Sequence, residues 1–310
     1  MRYIKLTILL NILLFGRIGF AEENFDPFDP PGRFINMGMH VMYIDCLGEK
    51  SPTVLIDVGL GDSSANWYEL AKTLSKNVRT CVYDRAGYGW SDPGPGERTT
   101  AQIVFELNRL LDIANVPGPY IIVGHSFGGF TARYFATKHP DKTVGAVLVE
   151  SSHPDQIYRL SGLDSVKTKR PLKVARKEPP PTYMSEFQKR WYFLNSSRKA
   201  TFAQMEELRS FKESAYQVKY AGNMPDVPLA VLTRGKSQLP EINGVSLEQE
   251  WREMQQELAT LSNQGWHEII EGSGHNVYAD APESVIENIL KVVKHARKEM
   301  NNTISSVNLD

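Results

Sequence analysis

A serine set among glycines, and a histidine far downstream in a second glycine-containing loop, are the residues whose types and spacing could together make and break a covalent bond. Ser126 stands in "IIVGHSFGGF", residues 121–130. The apolar run "YIIVG" before it reads as a buried strand and "GGFTARYFATKHP" after it as a helix, so Ser126 occupies a strand-to-helix turn. A G-x-S-x-G pattern by itself also fits an ordinary turn; this setting is what gives it chemical meaning. So tight a turn strains the serine backbone. Side chains two residues to either side would collide, which accounts for Gly124 and Gly128. The hydroxyl is pushed out at the edge of the sheet, beside a helix N-terminus whose amides favour negative charge. The chemistry is nucleophilic attack by a hydroxyl.

A serine hydroxyl is a weak nucleophile at neutral pH and needs a base. Of the seven histidines, His275 is the best placed. It follows the strand-like "WHEIIEG" in the loop "GSGHNVY", before the last helix, and so falls at the same sheet edge as Ser126. His125 adjoins the nucleophile, but the turn aims its ring elsewhere and its role is structural. His153 is the reserve base, His267 opens a strand and His295 lies on an exposed helix. An oxyanion needs two backbone donors. The Phe127 amide, directly after the nucleophile, is one. The Leu60 amide in "GLGDSS" is the other, unless that loop is a plain glycine turn. "GLGDSS" lacks the G-x-G-x-x-G spacing of a dinucleotide site, and no His/Cys/Asp cluster has metal-ligand spacing. Neither cofactor nor metal is expected.

The elements that must position these groups alternate along the chain. "RFINMG" and "MHVMYIDCLG" read as a hairpin. "PTVLIDVG", "VRTCVYD", "YIIVG", "VGAVLVE", "VPLAVLTRG" and "WHEIIEG" read as strands. Helices separate them at "NWYELAKTLSK", at "TTAQIVFELNRLLDIANV" (capped by Thr99 or Thr100), after Ser126 and at "SLEQEWREMQQELATLS". This is the pattern of a mostly parallel sheet with helices on both faces. It breaks at residues 152–225, where helical segments but no buried strand can be read. An insertion there would lie as a lid over the site. Its basic run at 167–177 is a solvated face of the lid or a contact for an anionic substrate or surface. The aromatics Trp191, Tyr192, Phe193, Phe202 and Phe211 line an acyl pocket or form the lid's own core. Asp84 braces the loop "DRAGYGWSDPGPG", and Asp57 closes a strand.

The 310 residues are 41% apolar and 23% charged with a formal charge of −1, a composition that supports a sizeable core and lacks the basic excess of a nucleic-acid binder. The first residues, "MRYIKLTILLNILLFGRIGFAEEN", have Arg2 and Lys5, an apolar run from Ile8 to Phe15, then Gly19 and Ala21. That order is a secretory signal, with cleavage expected after Ala21; the alternative is an uncleaved anchor. The run is short for a bilayer span, so no stable membrane span is expected after cleavage. Export places Cys46 and Cys81 in an oxidising compartment, which invites one bridge; the alternative is two buried thiols.

Taken in order, "VGLGDSSANW", "YDRAGYGWSDPG", "VGHSFGG" and "EGSGHNVY" resemble the α/β-hydrolase fold superfamily, in its branch of small exported serine hydrolases with a helical cap. The resemblance covers residues 33–297. It implies an eight-stranded, mostly parallel sheet and a triad in the chain order Ser, acid, His. It also implies that the strands of Cys46 and Cys81 are neighbours, which favours the disulfide. Two departures stand out. The family's frequent His-Gly before the oxyanion loop is Val58-Gly59 here. The acid that commonly follows the seventh strand as G-x-x-D is missing, since "RGKSQLPE" puts Gln238 there. Other members carry the acid at the end of the sixth strand, where this chain has Glu150. Glu150 is therefore assigned as the acid, with Glu241 and Asp155 as alternatives.

The expected organisation is a signal peptide (1–21), an extended lead-in (22–32), a first core part (33–151), a helical cap (152–225), a second core part (226–300) and a loose tail (301–310). The expected function is serine hydrolysis of carboxylic esters or related small-molecule acyl substrates through an acyl-enzyme. The alternatives are a triad-retaining ligand sensor with slow turnover and an acyltransferase or perhydrolase. A serine nucleophile argues against dehalogenase or epoxide-hydrolase chemistry, for which this fold uses a carboxylate.

Overall fold

The computed structural model describes residues 30–161 and 186–307. The expected signal peptide, most of the lead-in, the basic run and the last three residues lie outside them. The strands are β1 (Arg33–Asn36), β2 (Val41–Leu47), β3 (Thr53–Asp57), β4 (Thr80–Tyr83), β5 (Tyr120–His125), β6 (Thr143–Val149), β7 (Leu229–Arg234), β8 (Glu241–Ile242), β9 (Val245–Ser246) and β10 (Gly265–Ile270). Eight of them form one sheet in the order β1-β2-β4-β3-β5-β6-β7-β10. β2 runs antiparallel to β1 and to β4, and the other pairs are parallel. This is the eight-stranded α/β-hydrolase arrangement that the sequence implies. The β8–β9 ribbon is an addition too short to leave a periodic signal.

The alternation of the strands assigns the two faces. Val54 and Ile56 of β3 point to one side, where Leu70 and Leu74 of α1 (Tyr68–Leu74) and Val285 and Ile289 of α10 (Pro282–Val307) cover them. Leu55 points to the other, into a layer with Leu107 and Leu110 of α2 (Thr100–Ile113), Phe135 of α3 (Gly128–Lys138) and Leu258 of α8 (Leu247–Ala259). Each fully buried aliphatic side chain contributes roughly 1.5–3 kcal/mol, so these layers hold the sheet edges rigidly. Thr99 is the N-cap of α2, its hydroxyl accepting from the Gln102 amide. The expected tail is corrected in part: α10 continues to Val307. The sequence gives it no reason to stop, since neither Gly nor Pro interrupts "ARKEMNNTISSV" and Ile304 and Val307 keep a helical spacing.

Among the described residues, the stretch between β6 and β7 holds only helices: α4 (Gln156–Arg159), α5 (Glu186–Asn195), α6 (Arg198–Arg209) and α7 (Phe211–Lys219). Ala215 and Val218 of α7 pack on Ile103, Phe127 and Phe130. Of the aromatics in this stretch, Tyr192 is buried and Phe202 faces outward at 61% exposure. Phe211 lies beside Phe127 with its ring tilted by 47° and centroids 6.0 Å apart. The Trp191 side chain lies outside the described residues. Cys46 and Cys81 face one another across β2 and β4 and are joined as a disulfide. Among the described residues, no helix is long and apolar enough to cross a membrane.

Candidate active site

Ser126 follows β5 and has φ +52°, the left-handed region that non-glycine residues rarely occupy. The turn's crowding is as the sequence suggests. A Cβ at Gly124 would strike the Gly128 backbone, and one at Gly128 would strike the Asp57 carbonyl. Backbone bonds pin the strained residue: the Ser126 amide donates to the Val149 carbonyl at 3.1 Å, and its carbonyl accepts from the Ser152 amide at 2.9 Å.

The elbow, the end of β6 and the loop after β10 meet at one edge. The Ser126 hydroxyl donates to His275 Nε2 at 3.1 Å. On the other side of the ring, His275 Nδ1 donates to Glu150 Oε2 at 3.3 Å. This tautomer follows from the carboxylate, which only accepts. The His275 backbone is fixed as well. Its carbonyl accepts from His125 Nε2 at 3.0 Å, and the preceding Gly274 amide donates to Asp280 at 2.6 Å. Burial, and then the neighbouring His275, push the His125 imidazole down to about 3, so it stays neutral behind the site. His125 is thus structural, as its position in the turn suggests.

Glu150 also has a left-handed backbone, at φ +47°, and a fully buried side chain. Its Oε1 accepts from the Arg234 amide and from Trp251 Nε1, each at 3.0 Å. Its Oε2 accepts from Arg234 Nη1 at 2.6 Å. Burial pushes this carboxyl up. The bond to His275, the Arg234 charge, the Arg234 amide and the Trp251 bond outweigh it and hold Glu150 below the ordinary carboxylate value. Arg234 in turn donates to Glu248 at 2.8 Å, so an ion-paired file runs from His275 into the interior.

The other expected residues fall as follows. Leu60 lies partly buried beside Phe127 and Phe130. Among the described residues, the Leu60 and Phe127 amides donate to no turn, loop or cap carbonyl. His153 accepts from the Asp155 amide and lies 3.5 Å from Glu257, away from the serine–histidine pair. Asp155 pairs with Lys219 at 2.6 Å, and Glu241 is exposed on the β8–β9 ribbon. Neither of these two alternative acids is bonded to His275. The Gln238 backbone donates to Glu248. Asp84 braces as expected, accepting from the Ser64 and Trp90 amides at 2.7 and 2.9 Å. Sequence reasoning missed Arg234 and Trp251. A cation closing the apolar run "LAVLTR" was the available signal for Arg234; Trp251 had none, because its partner is 101 positions away.

A family model described as the alpha/beta hydrolase fold matches residues 52–227. The uncharacterized protein YqjL of Bacillus subtilis is 28% identical over 239 residues, covering 77% of this chain and 82% of YqjL. Three further relatives are matched over 18% of their own length. Among solved structures, an esterase from Exiguobacterium antarcticum superposes with a TM-score of 0.58 at 17% identity, over 85% of this chain and 99% of the esterase. A variant epoxide hydrolase from Vigna radiata superposes at 0.64 with 18% identity, over 85% and 98%. These neighbours carry two chemistries on one fold, so the likeness bears on the fold alone.

Proposed function

The chain belongs to the alpha/beta hydrolase fold family, and from that premise we propose that it hydrolyses carboxylic esters or related acyl compounds through an acyl-enzyme on Ser126. The observation that carries this reading is the unbroken hydrogen-bond line from Ser126 through His275 to Glu150. His275 takes the hydroxyl proton as Ser126 Oγ attacks the carbonyl carbon, and returns it to the leaving group. Glu150 holds the ring and stabilises the imidazolium. The Leu60 and Phe127 amides meet the oxyanion. Water, deprotonated by the same imidazole, then cleaves the acyl-enzyme to a carboxylic acid and free Ser126. A hydroxyl at the elbow supports acyl chemistry over epoxide opening, and the esterase among the structural neighbours agrees with it.

The helices of residues 152–225 serve in this reading as a cap, and the packing of α7 on Phe127 and Phe130 supports it. The Cys46–Cys81 bridge supports export of the mature chain. The deciding experiment is intact mass after exposure to a fluorophosphonate, followed by an ester panel. One adduct on the wild type and none on Ser126→Ala is expected. A folded wild type that takes no adduct would overturn the reading in favour of a ligand sensor.

A further inference from the structure

We infer that Glu207, a residue of the helical insertion, sets the direction of the Leu60 amide through two intermediaries, Arg85 and Tyr88. The inference rests on the proposed reading of Leu60 as an oxyanion donor.

The loop Gly59-Leu60-Gly61 has little conformational preference of its own. Gly61 sits at φ +77°, and glycine reaches such angles at no steric cost while fixing nothing. The loop's own turn supplies one long bond, the Asp62 amide donating to the Gly59 carbonyl at 3.3 Å, and outside anchors hold it on both sides of Leu60. In a trans peptide the carbonyl of one residue and the N–H of the next point in opposite directions, so whatever holds the Gly59 carbonyl also aims the Leu60 N–H. Arg85 Nη2 donates to the Gly59 carbonyl at 3.1 Å, and Nη1 donates to the Val58 carbonyl at 2.6 Å. The peptide after Leu60 is held by its own amide, Gly61 donating to the Tyr88 hydroxyl at 3.3 Å.

Both anchors end on one carboxylate. Arg85 donates to Glu207 from Nε at 2.7 Å and from Nη2 at 2.9 Å, and the Tyr88 hydroxyl donates to Glu207 Oε2 at 2.9 Å. Arg85, Tyr88 and Glu207 are each no more than 1% exposed. Burial opposes the charge on Arg85, but Glu207 and Asp57 outweigh it and keep the guanidinium charged. Asp57 at the end of β3 receives Arg85 Nη1 at 2.5 Å and the Tyr83 hydroxyl at 2.8 Å, which fixes the far side of the guanidinium. Glu207 belongs to α6, 122 positions beyond Arg85. A cap helix therefore aims a peptide plane in the core. Arg85, Tyr88 and Glu207 are positioning residues.

The test uses Glu207→Gln, Tyr88→Phe and their combination in the full chain. Three quantities are measured: the second-order rate of fluorophosphonate modification of Ser126, hydrogen exchange at the Gly61 and Asp62 amides, and Tm. Glu207→Gln is expected to slow modification about 10- to 100-fold, the scale of a misplaced oxyanion donor, and Tyr88→Phe about tenfold. The double variant should slow modification by less than the product of the two single effects, because the two anchors share one carboxylate. Exchange at Gly61 and Asp62 should quicken in each. A lowered Tm with wild-type modification rate and exchange would reduce the cluster to scaffolding and overturn the inference. If Glu207→Gln does not fold, Tyr88→Phe, which removes a single hydroxyl, decides alone. If the wild type itself takes no adduct, the hydrolase reading fails and exchange judges the clamp: quicker exchange supports it, and unchanged exchange overturns it.

Discussion

The two flanks of Ser126 are held from different parts of the molecule. On the histidine flank the supports belong to the sheet and its layers: Glu150 directly follows β6, Arg234 ends β7 and Trp251 lies on α8. On the oxyanion flank the loop is tied through Arg85 and Tyr88 to Glu207, which comes from the insertion. In the proposed mechanism the proton path belongs to the scaffold, while the site for developing charge depends on a segment attached to it. Under that proposal, remodelling the insertion changes how well a tetrahedral oxyanion is stabilised and leaves the acid–base pair where it is.

The sharpest way to separate the flanks is Glu150→Gln. It should lower kcat by about 10⁴, the scale seen when a triad carboxylate becomes an amide, and leave Gly61 exchange untouched. A loss of loop protection in this variant would break the contrast.

Arg234→Met attacks the same flank through stability. In the wild type the Glu150 carboxyl is held low, so its contribution is present above the ordinary carboxylate range and is lost as pH falls through the depressed value. Without the Arg234 charge one of the causes that offset burial is lost and that pKa moves up. The stability carried by the Glu150 carboxylate should therefore be lost at a higher pH than in the wild type as the solution is acidified. The loss at pH 7 should be about 3–5 kcal/mol, as for breaking a buried ion pair. A Tm profile from pH 3 to 7 parallel to that of the wild type would refute this.

The smallest effect on chemistry belongs to Cys46→Ser/Cys81→Ser. The bridge closes a loop of 35 residues, worth about 3–4 kcal/mol by chain entropy, but it ties β2 to β4 at the far end of the sheet from β6 and β7. Denaturant unfolding should register the loss while kcat per folded molecule stays within about twofold.

Ser126 and His275 were legible because their settings are local: glycines around a turn after an apolar run, and a loop between a strand and the last helix. Glu150 came from a strand-end argument that the missing Asp at Gln238 forced. Arg234, Trp251, Arg85 and Glu207 were not legible as a set. Each pairing spans between 84 and 122 positions, and a charged or polar residue that will be buried looks in sequence like one that faces water. The strands followed from alternation, and the eight-stranded, mostly parallel sheet and the neighbouring Cys46 and Cys81 strands from the resemblance; the full strand order was not legible. The end of α10 was misjudged because asparagines lower helix propensity without stopping a helix.

Ser126 and Glu150 directly follow neighbouring strands, and both backbones sit where L-amino acids are uncomfortable. Glycine would rest more easily at Ser126, by the order of 1 kcal/mol, whereas at Glu150 that gain is outweighed by the buried Arg234 left without its partner. A directed-evolution screen rewarding heat resistance alone would therefore find an early gain by erasing the hydroxyl at 126 while keeping the carboxylate at 150. Keeping Ser126 requires selection for turnover itself, acting continually against the molecule's own thermodynamic drift.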